Sequence, residues 1–253
     1  MTESRLNVDA LLPFLARALE EDSADKDLTS RALIDEGKTG TADVNAKAAG
    51  VLAGVPLAEP LFRFLDPDAR VTLHHEDGDV VTARSRVLTV EGRLRAILSA
   101  ERTVLDVLGH LSGVATLTRA FVDAAGTSMV DILDTRKTTP GWRVLEKYAV
   151  VCGGGANHRL DLADAAMIKE NHLYAAFGET GPHAIREAIR RCREALPPET
   201  TLHCEVENLK ELDAALDAGA DVVMLDGFEL GEIREAVMRA RNHQAKARLE
   251  VTG

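Results

Sequence analysis

DTRKTTPGWRVLEKYAVVCGGGANHRLDLADAAMIKENH, from Asp134 to His172, decides how the second half of the chain is read. Within it WRVLEKYAVVC (142–152) has helical spacing and stops at Gly153, Gly154 and Gly155. AAMIKE (165–170) is a short apolar run of strand length that ends in charge. The stretch also holds Arg136, Lys137, His158, Arg159 and Lys169, in a chain whose formal net charge is -11. A single cation of this kind is usually a solvated surface charge. Several of them where apolar runs end, beside three glycines, point to a site for a ligand with several negative charges.

Toward the C-terminus the alternation continues. PHAIREAIRRCREAL (182–196), LKELDAALDAG (209–219) and ELGEIREAVMRARNH (229–243) read as helices. TLHCEVE (201–207), DVVMLD (221–226) and KARLEVTG (246–253) read as strands, and MVDILDT (129–135) as the strand that opens the series. Repeated strand–helix units predict a parallel sheet, open or closed into a β/α barrel. Polar residues fall where these strands end: Asp134, Arg136 and Lys137, then Lys169 and Glu170, Glu205 and Glu207, and Asp226. In a β/α barrel that rim carries the active site, and Glu205 and Asp226 would face each other across it. Each carboxylate alone reads equally well as a helix cap.

Toward the N-terminus, LRAILSAERTVLDVLGHLSGVATLTRAFVDAA (94–125) contains no proline. It reads as one long helix, or as two joined near Gly109 to Gly113. TADVNAKAAGVLAG (41–54), VTLHHEDGDVV (71–81) and SRVLTVEG (85–92) are β-prone runs broken by Gly and Asp, and Gly40 to Val90 is read as an antiparallel sheet with turns. His74 and His75 lie in it as surface or sheet residues. Val8, Leu11, Leu12, Leu15 and Leu19 place a first helix that ends near Glu20, Glu21 and Asp22.

Composition sets limits. Of the 253 residues, 45% are apolar and only 4% aromatic, so Ala, Leu and Val must supply the core. An acidic chain with pI ≈ 5.2 is a poor partner for nucleic acid or an anionic membrane. No apolar run has the length of a transmembrane helix, and MTESRLNVDALLPF does not read as a signal peptide. Cys152, Cys192 and Cys204 are too few and too widely spaced for a disulfide framework or a zinc site. They read as reduced thiols of a cytoplasmic protein.

The chemistry follows from residue type. Arginine forks at 102, 136 and 159 suit the carboxylates of a small di-acid. Lys137 and Lys169 suit phosphate oxygens. The three glycines let backbone approach a ligand, or simply turn a helix end. His158 can donate a hydrogen bond or titrate. Glu205 and Asp226 can bind sugar hydroxyls, hold Mg²⁺ or stabilise a developing cation. Neither a Walker motif nor GxGxxG is present. Residue types leave two reactions open: transfer of a phosphorylated sugar, and an aldolase using Lys137 or Lys169 as a Schiff base.

DILDTRKTTPGWRVLEKYAVVCGGGANHRL and MIKENH closely resemble the quinolinate phosphoribosyltransferase family. EED…DLTS (20–30), ERTVLDVLGHLSGVATLT (101–118), EVENL (205–209) and VMLD (223–226) extend the likeness over nearly the whole chain. The resemblance implies an α/β protein, with an N-terminal α/β sandwich and linking helix over 1–112 and an incomplete β/α barrel over 113–253. It implies conversion of quinolinate and phosphoribosyl pyrophosphate to nicotinate mononucleotide, pyrophosphate and CO₂ with Mg²⁺, in de novo NAD biosynthesis. It implies a homodimer or larger homo-oligomer in which Arg102 enters the neighbouring site. Arg136, His158 and Arg159 match quinolinate-binding positions, and Lys137 and Lys169 match pocket lysines. Glu205 and Asp226 match acidic positions near the ribose and the metal–pyrophosphate. Lys137, Lys169, Glu205 and Asp226 are thereby the candidate catalytic residues, and Glu205 and Asp226 the candidate Mg²⁺ ligands.

Two departures stand out. Gly227 occupies a position where the family usually has Asn. The chain also stops at LEVTG, where the family continues with loops that hold the sugar's 5′-phosphate, so the barrel reads as C-terminally shortened. A member that binds a di-acid without turnover, and a relative acting on another ring such as the molybdenum-transport-associated proteins, are the competing readings.

Overall fold

The structure is a computed structural model, and it describes residues 6–126, 130–244 and 246–252. It divides into two compact units, 1–160 and 161–253, and the expected boundary at 112/113 falls inside a continuous helix.

The first unit begins with α1 (Val8–Glu21), capped by Asn7 and ending at the acidic cluster, as its spacing predicts. A short helix α2 (Leu28–Leu33) follows, with the Asp27 carboxylate accepting from the amides of Thr29 and Ser30. The segment 40–90 contains the expected strands: β1 (Thr39–Asn45), β2 (Gly50–Val51), β3 (Arg70–Leu73), β4 (Val80–Val81) and β5 (Arg86–Arg93). β5 lies between β1 and β3, both antiparallel to it, and β2 pairs with β4.

This segment is not all sheet. α3 (Ala58–Leu65) interrupts it, because Leu57, Leu61 and Leu65, with Ala58 and Phe62, repeat at helical spacing and press into the core. His74 and His75 are exposed or half-buried, bonded to Thr89 and Asp79.

α4 (Leu94–Ala125) is one uninterrupted helix of 32 residues. Its buried stripe runs through Ile97, Ala100, Val104, Val107, Leu108, Leu111 and Ala115. Gly109 and Gly113 lie outside that stripe, with open space where a Cβ would stand. Each glycine costs about 1 kcal/mol of helix propensity. Each buried aliphatic side chain contributes roughly 1.5–3 kcal/mol, so the helix does not break.

α5 (Arg143–Cys152) follows, bedded by Leu145 and Ala149. The expected strand at 129–135 is corrected here. Met129 lies outside the described residues, and from the rest only a single parallel bridge forms, Leu133 with Ala156. A ladder needs two extended partners, and here one partner has only just left the end of α5, capped at Gly153.

The second unit is built as predicted. Strands β6 (Ala166–Ile168), β7 (Leu202–Val206), β8 (Val222–Asp226) and β9 (Arg248–Thr252) form a parallel sheet in that order. Helices α6 (Glu170–Phe177), α7 (Pro182–Ala195), α8 (Leu209–Asp217) and α9 (Leu230–Asn242) connect them, α6 being an addition to the expected set. Ile168, Cys204, Val206, Val223 and Leu225 join Ile185, Ile189, Leu212 and Ala236 in one core. Alternation then fixes the rest. Register pairs Ile168 with Cys204 and Glu205 with Met224, so Lys169, Glu205 and Asp226 belong to the opposite sheet face.

Candidate active site

Four site residues of the first unit, Arg136, Lys137, His158 and Arg159, lie on two loops, and α5 grips both. Lys147, 3% exposed, ion-pairs with Asp134 and donates to the His158 carbonyl at 3.0 Å. Asp134 also accepts from the Asn157 side chain at 2.5 Å and the His158 amide at 2.9 Å. Asn157 donates to the Lys147 carbonyl at 2.9 Å. One turn earlier, Arg143 Nε reaches Thr138 Oγ1 at 3.2 Å. Glu146 accepts from the Thr139 amide at 3.1 Å and bonds His110 at 2.9 Å. Burial would raise the Glu146 pKa, but its bonds to Thr139 and His110 outweigh that and lower it.

These contacts fix the segments that carry Arg136, Lys137, His158 and Arg159. The Arg136 guanidinium Nε is buried without a hydrogen-bond partner among the described residues. Native proteins rarely leave such a donor unmet, and a carboxylate is its natural complement. Lys137 is exposed, its amide turned onto Thr135 Oγ1 at 2.9 Å. His158 and Arg159 are half-buried, and the Arg159 amide donates to His158 Nδ1 at 2.7 Å. That bond makes Nδ1 an acceptor and leaves Nε2 to carry the proton of a neutral ring. Arg102 stands on α4 with its side chain 65% exposed, paired with Asp106 at 3.1 Å.

Two of the three glycines, Gly153 and Gly155, stand where close packing leaves no room for a side chain. A Cβ on Gly153 would lie 2.4 Å from the Ala115 carbonyl oxygen. One on Gly155 would meet Thr118 and Val150 at 2.8 Å. Gly154 has φ +90° and passes the Arg119 guanidinium. The helix end is thus pressed against α4, which sets where the NHR loop starts. Arg119 itself has a buried Nε without a partner among the described residues. It was unmarked in sequence because it reads as one more residue of a helix.

In the second unit Lys169 forms the N-cap of α6, directly after β6, and its ammonium ion-pairs with Glu205 on β7. Asp226 ends β8, on the same sheet face as Glu205. The expectation that Glu205 and Asp226 face each other across a rim is therefore corrected: they stand side by side on adjacent strands. Glu207 follows β7. Its pKa is raised by partial desolvation and by the charges of Glu170, Glu211, Asp226 and Glu205. That crowding of carboxylates is relieved by a cation, and oxygen donors of this type suit a hard divalent ion. Gly227 has φ +68° and donates to the Thr252 carbonyl at 3.2 Å. Among residues with a side chain, Asn tolerates this left-handed conformation best. Cys152, Cys192 and Cys204 are free thiols; burial raises all three, Cys204 to about 12, as expected of unreactive groups.

Known proteins resemble this chain over most of its length. The N-terminal domain of quinolinate phosphoribosyl transferase matches residues 27–112, and its C-terminal domain matches 114–253. A nicotinate-nucleotide pyrophosphorylase (carboxylating) of Mycobacterium leprae is 39% identical over 248 residues, 97% of this chain and 85% of that protein. A probable enzyme of the same name from Synechocystis is 38% identical over 95% of this chain and 79% of its own length. NadC from Streptococcus pyogenes superposes with a TM-score of 0.90 at 37% identity, over 98% of this chain and 85% of that one. The nicotinate-nucleotide pyrophosphorylase of Francisella tularensis gives 0.89 at 36%, over 100% and 86%. The chain belongs to the quinolinate phosphoribosyltransferase family.

Proposed function

We propose that this protein transfers the phosphoribosyl group of phosphoribosyl pyrophosphate to quinolinate and releases pyrophosphate and CO₂, giving nicotinate mononucleotide for NAD biosynthesis. The observation that carries this reading is the unmet Arg136 donor in an intact DTRKTTPG loop, anchored beside an intact NHR segment. We assign the N-terminal sandwich to 1–112 and the barrel to 113–253, a division supported by the two matched segments.

Roles follow residue by residue. Arg136 and Arg159 grip the carboxylates of quinolinate by bidentate hydrogen bonds, and His158 donates from Nε2. Holding the ring in place is mainly a positioning contribution. The ring nitrogen attacks the anomeric carbon as the bond to pyrophosphate breaks. Glu205 and Asp226 stabilise the positive charge on the sugar during that step. The C–COO⁻ bond then breaks and CO₂ leaves, its electron pair staying on the ring carbon beside the positive pyridinium nitrogen, which stabilises it until a proton adds to that carbon. Lys137 and Lys169 attract the anionic oxygens of the sugar substrate.

Magnesium fits the donor set at the end of β7 and β8. Glu205 and Asp226 would hold it, and when bound it would supply charge neutralisation for pyrophosphate. We further propose a cytoplasmic homodimer or larger homo-oligomer in which Arg102 serves a neighbouring subunit. Support comes from its exposure and its weak local pairing. Among the described residues no helix is long and apolar enough to cross a membrane.

The test is release of labelled CO₂ from carboxyl-labelled quinolinate, with phosphoribosyl pyrophosphate and Mg²⁺. Release that requires all three supports the reading. Quinolinate binding without release would leave a di-acid-binding protein and refute the transferase.

A further inference from the structure

We propose that Lys147 is the positioning residue of the quinolinate site, a role the sequence does not announce. It sits mid-helix in α5 as one basic residue among others, yet it is 3% exposed, and its ammonium is spent entirely inside the protein. One bond goes to the Asp134 carboxylate, at the start of the DTRK loop. Another goes to the His158 carbonyl at 3.0 Å, inside NHR.

The circuit closes through Asp134, which receives the His158 amide at 2.9 Å and the Asn157 side chain at 2.5 Å. Asn157 returns to the Lys147 carbonyl at 2.9 Å. Asp134 and His158 are thereby locked in register by both amide and carbonyl, although only one strand bridge joins their segments. Two backbone bonds start the pairing, Asp134 N to the Ala156 carbonyl at 3.1 Å and Ala156 N to the Ile132 carbonyl at 2.8 Å, and three charged or amide side chains carry it on to His158. Lys147 touches no reacting atom. It acts by holding Arg136 and His158–Arg159 at a fixed separation, and a misplacement near 1 Å in such a site costs up to about 100-fold. The inference rests on the proposed quinolinate chemistry for its kinetic consequence, but not for its structural one.

The experiment compares wild type, Lys147→Met, Lys147→Arg and the double variant Asp134→Asn/Lys147→Met. The double variant is neutral, so it avoids a stranded buried carboxylate and keeps the fold testable. Melting temperature, KM for each substrate, and amide exchange at Asp134, Ala156 and His158 are measured. The double variant is expected to melt within a few degrees of wild type. Its KM for quinolinate should rise about ten- to hundredfold, while that for phosphoribosyl pyrophosphate changes less than about threefold. Exchange at Ala156 and His158 should quicken while α5 stays protected, and Lys147→Arg should recover part of the KM. Unchanged quinolinate KM in a folded double variant overturns the proposal. If wild type does not turn quinolinate over, the functional reading fails by itself. Exchange then decides the clamp alone: protection retained at His158 overturns it, and protection lost upholds it.

Discussion

Gly153→Ala isolates one distance on which the NHR loop depends. Gly153 has φ -72°, so alanine brings no backbone strain, and the cost is steric. The new Cβ would lie 2.4 Å from the Ala115 carbonyl oxygen and 2.6 Å from Thr118 Cβ. Carbon atoms pack at about 3.5–4.0 Å, so the helix end must retreat from α4 by roughly 1 Å. Overpacking of this kind costs about 1–3 kcal/mol. Restricting the unfolded chain returns about 0.4–1 kcal/mol. The net loss runs from about 0 to 2.6 kcal/mol and centres near 1.3, or roughly 3–5 °C in Tm at the centre for a chain of this size. Because His158 lies five residues on, the quinolinate KM should rise as well. Gly109→Ala is the control, with open space at its Cβ and a helical backbone. It should stabilise by about 0.5–1 kcal/mol. Calorimetric melting of both variants is the assay. A Gly153→Ala protein that melts above wild type would refute the close-packing argument.

Two other outcomes are expected. Arg102→Ala removes only an exposed pair with Asp106, so stability should change by less than about 0.5 kcal/mol. Labelled-CO₂ release should nevertheless fall; full activity at saturating and subsaturating quinolinate would remove Arg102 from the site. Asp66 governs part of the acid limb of stability. Its burial pushes the pKa up, but the bonds from Arg93, at 2.7 and 3.0 Å, outweigh that and leave it lowered. A lowered carboxylate contributes stability that is complete above the unfolded value, about 3.9, and is lost as pH falls through the folded one. Asp66→Asn should therefore cost about 1–3 kcal/mol at pH 7 and progressively less below pH ~4. Parallel pH profiles for the two proteins in denaturant titrations would contradict this.

The alternation of strand and helix after residue 160 was legible because each element has its own period and stop signal. Pro182, Asn208 and Gly219 mark boundaries that the backbone obeys. The residues of TRK, NHR, IKE and LD could be singled out because charge at the end of an apolar run is rarely core. What was hidden depended on partners distant in sequence. Residues 130–135 look like a strand and make one bridge, since pairing is decided by the partner segment. α3 was masked by β-prone neighbours on both sides. Lys147 carries no local mark, because a buried ion pair is visible only once both ends are placed. The glycines were visible, but their purpose required knowing that Ala115 and Thr118 lie against them.

The register of the parallel sheet has a consequence for how this protein can vary. Even-numbered positions such as Cys204 and Val206 join the helix-side core, while the odd-numbered Glu205, the proposed catalytic carboxylate, lies on the other face; on the next strand the parity is reversed, with Val223 and Leu225 inside and Asp226 on the other side. The helix-side core and the proposed chemistry are thus interleaved along the same few residues, although His203 and Val222 on the Glu205 face are buried as well. Inserting a single residue within β7 or β8 would exchange the two faces at once.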